Sequence, residues 1–208
     1  RCFEPRSRRM NRLPPRELER FLGLVDGELE NDGSIVIVGG AAIALAYGGV
    51  RFLTADIDIV SVEGPDVREA FDAAARKSSR PVPVTYVGGI AIAPPGFESR
   101  LQRILEHLKR LRVRVPERHD LAIMKIARGT DHDLAGVEEI HGGDSPLSLQ
   151  TLVERFEETL PLYTGPLDNF KWAFFSAVNR LFPDDDHDDL KKEIERLIRS
   201  RKKQLRLE

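Results

Sequence analysis

The run Ile35-Val36-Ile37-Val38-Gly39-Gly40-Ala41-Ala42-Ile43-Ala44-Leu45, followed closely by Thr54-Ala55-Asp56-Ile57-Asp58-Ile59-Val60, decides how the rest of the chain is read. Four apolar, mostly β-branched residues open it and predict a short buried strand. Gly39 and Gly40 then form a turn where the backbone can approach a ligand closely. Ala41 to Ala46 favour helix, so a helix is expected directly after the glycines. Its N-terminus offers free N–H groups and a positive dipole end to a phosphate. The second apolar run carries Asp56 and Asp58. Side chains two apart on a strand share a face, and two neighbouring carboxylates repel unless a cation sits between them. A hard, oxygen-loving ion such as Mg²⁺ meets that need. A phosphate cradle beside a carboxylate pair points to metal-assisted chemistry on a nucleoside triphosphate.

Each half also has a plainer explanation. Gly-Gly after a strand can be only a tight turn, and Asp-x-Asp can lie on a solvated edge strand. A dinucleotide-binding fold likewise uses strand, glycine turn, helix, strand and acid. Two details argue against it: the glycines lack G-x-G-x-x-G spacing, and the acids are expected inside the second strand rather than at its end.

The order strand, Gly39-Gly40, helix, then Arg51-x-x-Thr54-x-Asp56-Ile-Asp58 resembles the signature of the DNA polymerase β-like nucleotidyltransferase superfamily. A second stretch, His119-Asp-Leu-Ala-Ile-Met-Lys125-Ile-Ala-Arg-Gly-Thr-Asp131-His-Asp133-Leu, is similar to the downstream motif of minimal nucleotidyltransferases of the AbiEii abortive-infection toxin type: a lysine-bearing helix, a short break, then Arg/Asp-x-Asp opening another helix. The resemblance implies an α/β (α+β) nucleotidyltransferase fold, a small mixed sheet flanked by helices with a helical C-terminal part. It implies an NTP substrate, Mg²⁺ or Mn²⁺ on Asp56 and Asp58, and catalytic roles for Asp56, Asp58, Lys125 and Asp133. Gly39, Gly40, Arg51, Thr54 and Lys125 would contact the nucleotide. An RNA end such as tRNA, or a protein side chain, would be the acceptor; a toxin's role and an antitoxin partner are implied as well.

The downstream residues also make sense on their own. Leu121, Met124, Lys125 and Arg128 share one helical face, which puts Lys125 at the margin of a buried stripe, where an ammonium can hold a leaving pyrophosphate as a point charge. Asp133 aligns with Val137 and Ile140; it can position the nucleotide or the acceptor hydroxyl, or complete a metal shell. Asp131, by contrast, reads as a helix cap. One strand departs from the superfamily pattern. Such enzymes often carry a third carboxylate on a later strand, whereas Leu111-Arg-Val-Arg-Val115 alternates with Arg112 and Arg114 as its polar face. A catalytically silent nucleotide-binding or protein-interaction module on the same fold therefore stays open as an alternative.

Bulk properties set the remaining bounds. A formal charge of −2 gives no global attraction to nucleic acid or membrane. The one cysteine, Cys2, excludes an internal disulfide framework and fits a reducing cytosol, so a cytoplasmic location is expected. The longest apolar run, residues 35–47, is shorter than the roughly 18 residues a membrane helix needs. The chain opens on Arg1, which makes Met10 a candidate start. Residues 1–13 are expected to be flexible, 14–118 to form the catalytic core and 119–208 a helical region. Helical spacing predicts helices over residues 16–25, 65–77 and 100–110, and three more over 148–160, 166–182 and 186–207. Residues 82–87 and 89–93 read as two strands joined by a Gly88-Gly89 hairpin. Trp172, Phe174, Phe175 and Val178 are expected in the core. The Asp184–Asp189 run is read as the acidic start of a helix that ends in bases, the arrangement the macrodipole favours.

Overall fold

The computed structural model describes residues 12–48, 53–87 and 92–205. Arg51, the Gly88-Gly89 turn, Cys2, Met10 and nearly all of the N-terminal segment lie outside the described residues.

The Ile35–Val38 run forms the middle of a strand, β1 (Gly33–Val38), buried along its whole length. Beside it lie β2 (Ile57–Glu63), β3 (Val84–Tyr86), β4 (Gln102–Ile104) and β5 (Leu111–Val115), in the order β3-β2-β1-β5-β4. The sheet is mixed: β1 runs antiparallel to β2 and parallel to β5, β3 is parallel to β2, and β4 antiparallel to β5. β-branched residues on one face, Ile35, Ile37, Ile57, Ile59 and Val113, are 0–1% exposed. Against this side pack α1 (Pro15–Glu28), with Leu18, Phe21, Leu22 and Val25 inward, and α3 (Val67–Lys77), with Val67, Ala70, Phe71 and Ala74 inward. Phe21 and Phe71 join the two helices at 6.0 Å between ring centroids. Each such side chain contributes about 1.5–3 kcal/mol by leaving water.

The other face begins with Val38 opposite Asp58, and continues through Val36 and Ser34 to Arg114 and Arg112 on β5. Among the described residues five α-helices follow β5 in the chain, and Met124 of the first shares a cavity with Val36 and Arg114 of this face. The five are α4 (Arg118–Arg128), α5 (Asp131–His141), α6 (Leu149–Thr159), α7 (Leu167–Leu181) and α8 (Asp188–Gln204). Their apolar sides share one continuous core with the sheet. The last helix opens on Asp188 and Asp189 and ends on Arg201, Lys202 and Lys203, with charges placed as its dipole favours. No helix among the described residues is long and apolar enough to cross a membrane.

Three expectations are corrected. Residues 100–110 are not a helix but a short 3-10 turn (Phe97–Arg100), β4 and a tight turn into β5. Leucine spacing alone misleads here because two tertiary partners take the backbone groups. β5 pairs with residues 102–104, and the Asp26 carboxylate accepts the N–H groups of Lys109, Arg110 and Leu111 at 3.1, 2.7 and 2.7 Å. Trp172 is not core: it is 64% exposed, while Phe174, Phe175 and Val178 are buried. It stands on the outer stripe of α7, with Lys171 4.9 Å over its ring. Asp131 is not the cap of α5 either. Thr130 fills that position and accepts the Asp133 N–H, while the Asp131 side chain is fully exposed.

Candidate active site

Gly39 stands where β1 ends, with φ +69, in the left-handed region that only glycine adopts without strain. α2 (Gly39–Ala42) starts there and continues as wider, π-type turns over Ile43–Tyr47 before Gly48 ends the helix. The strand–glycine–helix order thus brings a helix start to the edge of the sheet's second face. Asp58 lies directly beside it. A Cβ built on Gly39 would sit 2.6 Å from Asp58 Oδ2, so no side chain fits between that backbone and the carboxylate. Gly39→Ala therefore meets both strain and a clash. It is expected to lower stability by about 1–3 kcal/mol, measurable by denaturant titration, and to displace the Asp58 carboxylate.

Asp58 is half-buried on β2. Burial pushes its carboxyl above the ordinary range, and the charge of Asp56 pushes the same way; Arg128 and Lys125 pull it back. Asp56 stands one residue before the strand rather than inside it. The entry is shaped by Thr54, which bridges to Leu13 and whose hydroxyl donates to the Asp56 carbonyl at 3.2 Å. Thr54 is buried and serves the backbone around Asp56 in this structure. Gly40 is half-buried within α2.

The lysine arrives from α4. Lys125 is 2% exposed and its Nζ donates to Asp133 Oδ1 at 3.3 Å. Its stem passes Gly136 of α5, where a Cβ would stand 2.9 Å from Lys125 Cε. Burial draws its ammonium below the ordinary lysine range, partly offset by Asp133. Asp133 is also 2% exposed. Burial pushes its carboxyl up, but the Thr130 hydroxyl at 2.7 Å, the Arg128 guanidinium and the charge of Lys125 together hold it below the ordinary range. The pair is thus asymmetric: the carboxylate is well satisfied, and the ammonium is held where its charge is costly.

These elements meet around one cavity of about 110 Å³. Gly39, Asp58, Lys125 and Arg128 form its polar side, and Val38, Leu121 and Met124 line its apolar side. So three of the residues singled out from the sequence, on three separate elements, surround the same space. Asp133 stands behind it through Lys125, and Asp56 acts on it electrostatically through Asp58. Arg51 lies outside the described residues. Arg128 is the residue the sequence reading left without a role. Its place on the same helical face as Lys125, one turn on, is the signal that could have found it. The cavity is smaller than the roughly 300 Å³ lower bound for drug-sized ligand pockets, so a whole nucleotide would extend beyond it.

The donor set can be tested against a divalent ion. No group of three or more His, Cys, Asp or Glu side chains close enough to hold a metal occurs among the described residues. Two carboxylates are nonetheless what Mg²⁺ usually takes from protein when substrate phosphates and water supply its other ligands. Asp58, with Asp56 near enough for its charge to raise the Asp58 carboxyl, offers two carboxylates and not an all-protein cage.

A family model described as a nucleotidyltransferase of unknown function (DUF6036) matches residues 17–177. That span runs from α1 through most of α7 and includes the whole sheet. No curated protein and no solved structure matches the chain.

Proposed function

Since the chain belongs to this nucleotidyltransferase family, we propose that it moves a nucleotidyl group from an NTP to an acceptor hydroxyl and releases pyrophosphate. The observation that carries the reading is the convergence of Gly39, Asp58, Lys125 and Arg128 on one cavity. Asp56 and Asp58 would hold Mg²⁺ or Mn²⁺, which when bound neutralises triphosphate charge and lowers the pKa of an oxygen it touches. The start of α2 and Gly39 present backbone N–H groups to a phosphate at close range. Lys125 and Arg128 face the same cavity as fixed positive charges for the departing pyrophosphate. Asp133 holds both cations in place from behind. In the step itself, the acceptor oxygen bonds to the α-phosphorus, the bond to the β-phosphate oxygen breaks, and the hydroxyl proton is released to water.

The motifs around Arg51–Asp58 and His119–Asp133 support an AbiEii-like assignment within the superfamily. On that reading the acceptor is an RNA end such as tRNA, or a protein side chain. The chain then acts as the toxin of a toxin–antitoxin or phage-defence pair, in the cytoplasm, with an antitoxin as partner. The arginine face of β5 favours a second reading, a silent nucleotide-binding or interaction module, because Arg112 and Arg114 stand where a third carboxylate is absent. Incubation with each α-labelled NTP, Mg²⁺ and total RNA or protein separates the two. The transferase reading predicts label in a macromolecule with wild-type protein and none with Asp58→Ala. No incorporation with any NTP would favour the silent module.

A further inference from the structure

The two arginines that replace the expected carboxylate belong to a larger feature. Register places Arg114 beside Val36 on β1 and opposite Arg103 on β4, so all three share the open face of the sheet. Arg112 lies two residues along β5 on the same face. A second cavity of about 360 Å³ opens over this surface, lined by Val36, Ser61, Glu63, Glu98, Arg114 and Met124. Met124 also lines the Gly39–Lys125 cavity, so the two spaces adjoin.

Arg114 is incompletely satisfied. One terminal nitrogen donates to Ser34 Oγ at 2.9 Å and Glu63 Oε1 at 3.2 Å, but its Nε is buried without a partner among the described residues. A buried donor left without a partner is costly and calls for an explanation. Glu63 is a loose partner, 65% exposed, and such pairs exchange readily. The Arg103 side chain is exposed and has no hydrogen bond or ion pair among the described residues.

Position along the sheet gives the cavity its role. Asp58 pairs with Val38, at the level of Gly39; Ser61 and Arg114 both pair with Val36, on the far side of the acid from the glycine. In nucleotidyl transfer the attacking and leaving oxygens lie roughly in line across phosphorus. If pyrophosphate departs toward Gly39, Lys125 and Arg128, the acceptor arrives from the side of Arg114. We propose that the 360 Å³ cavity is the acceptor subsite and that it recognises a phosphate ester carrying a free hydroxyl. Arg114 takes the phosphate, and Arg103, its cross-strand neighbour outside the cavity lining, adds positive charge beside it. Glu63 and Glu98, which would repel a bare anion, accept hydrogen bonds from hydroxyls beside it. This rests on the transferase reading above for the word acceptor, but the binding itself does not.

Two probes distinguish the sources of such a group: ribose 5-phosphate, and a short single-stranded oligoribonucleotide. Each is titrated calorimetrically, without NTP, into wild-type protein, Arg114→Ala and Arg103→Glu. A non-hydrolysable NTP analogue with Mg²⁺ is titrated in parallel. At least one probe is expected to bind wild type and to lose about tenfold or more in affinity in each variant, as for loss of a charged hydrogen bond. The analogue is expected to stay within about twofold. Arg103 is exposed, so its variant still decides the matter if Arg114→Ala does not fold. Absence of binding by both probes, or binding that neither variant weakens, overturns the proposal. Failure of the analogue to bind wild type counts against the transferase reading alone.

Discussion

Asp58→Asn is expected to lower nucleotidyl transfer by about a thousandfold, roughly 4 kcal/mol of transition-state stabilisation. The substitution keeps the shape of the side chain and removes half of the negative charge available to a divalent ion. It also changes the electrostatics of the resting site. Asp58 is half-buried with Asp56 as its like-charged neighbour, and Lys125 and Arg128 offset them only in part. Losing one of two repelling acids does not weaken the fold. The variant should therefore melt no lower than wild type while its activity disappears, and added Mg²⁺ with an NTP analogue should raise the wild-type melting temperature but not that of the variant. Turnover by labelled-NTP transfer and melting by calorimetry check the two halves. A variant that is inactive because it unfolds would show a lowered melting temperature.

Asp133→Ala should produce the largest loss of stability, about 3–5 kcal/mol, the usual consequence of removing one partner from a buried ion pair. Lys125 is left 2% exposed with its carboxylate gone, and Arg128 and Thr130 lose the group they share. Replacing the lysine as well, in Lys125→Met/Asp133→Ala, should recover much of this, because no buried charge then lacks a partner. The pH dependence has a definite sign. Hydrogen bonds and neighbouring cations hold the Asp133 carboxyl below the ordinary range against burial. Its contribution is therefore complete above the unfolded carboxylate value, about 3.9, and disappears as pH falls through the lower folded value. Lys125 works the other way. Its folded ammonium is drawn down by burial, so it costs stability while charged, and that cost fades as pH rises toward the unfolded lysine value, about 10.4. Denaturant titrations of wild type and Asp133→Ala across acid pH should converge as the carboxylate protonates.

The parts of the fold that could be read beforehand are those where local pattern and tertiary packing agree. The inward faces of α1 and α3, the β-branched run of β1, the alternation of β5 and the last three helices follow hydrophobic period alone. The misreadings come where a distant group decides. Asp26, on α1, claims the backbone N–H groups at the start of β5 and leaves no helix over 100–110. Hydrophobicity alone places Trp172 inside, but α7 leaves one stripe toward solvent. For the site, spacing was enough to single out Gly39, Asp58 and Lys125, because a strand end and a helical face each point their residues in one direction. It could not give the depth of Lys125, which depends on the absence of a side chain at Gly136 in a different helix. Nor could it give the partners of Asp133, where Thr130 and Arg128 converge from either side of the helix break. The register that aligns Arg103 with Arg114 is likewise a property of the folded sheet.

The proposed mechanism requires a divalent ion on Asp56 and Asp58 beside a phosphate held at Gly39 and Lys125. Crystals grown with Mn²⁺ and a non-hydrolysable NTP analogue test it most directly, through the anomalous signal of the metal. A peak is expected within bonding distance of both carboxylates, with the triphosphate entering the cavity between Gly39 and Lys125. A metal bound elsewhere, or an analogue seated away from that cavity, would contradict it.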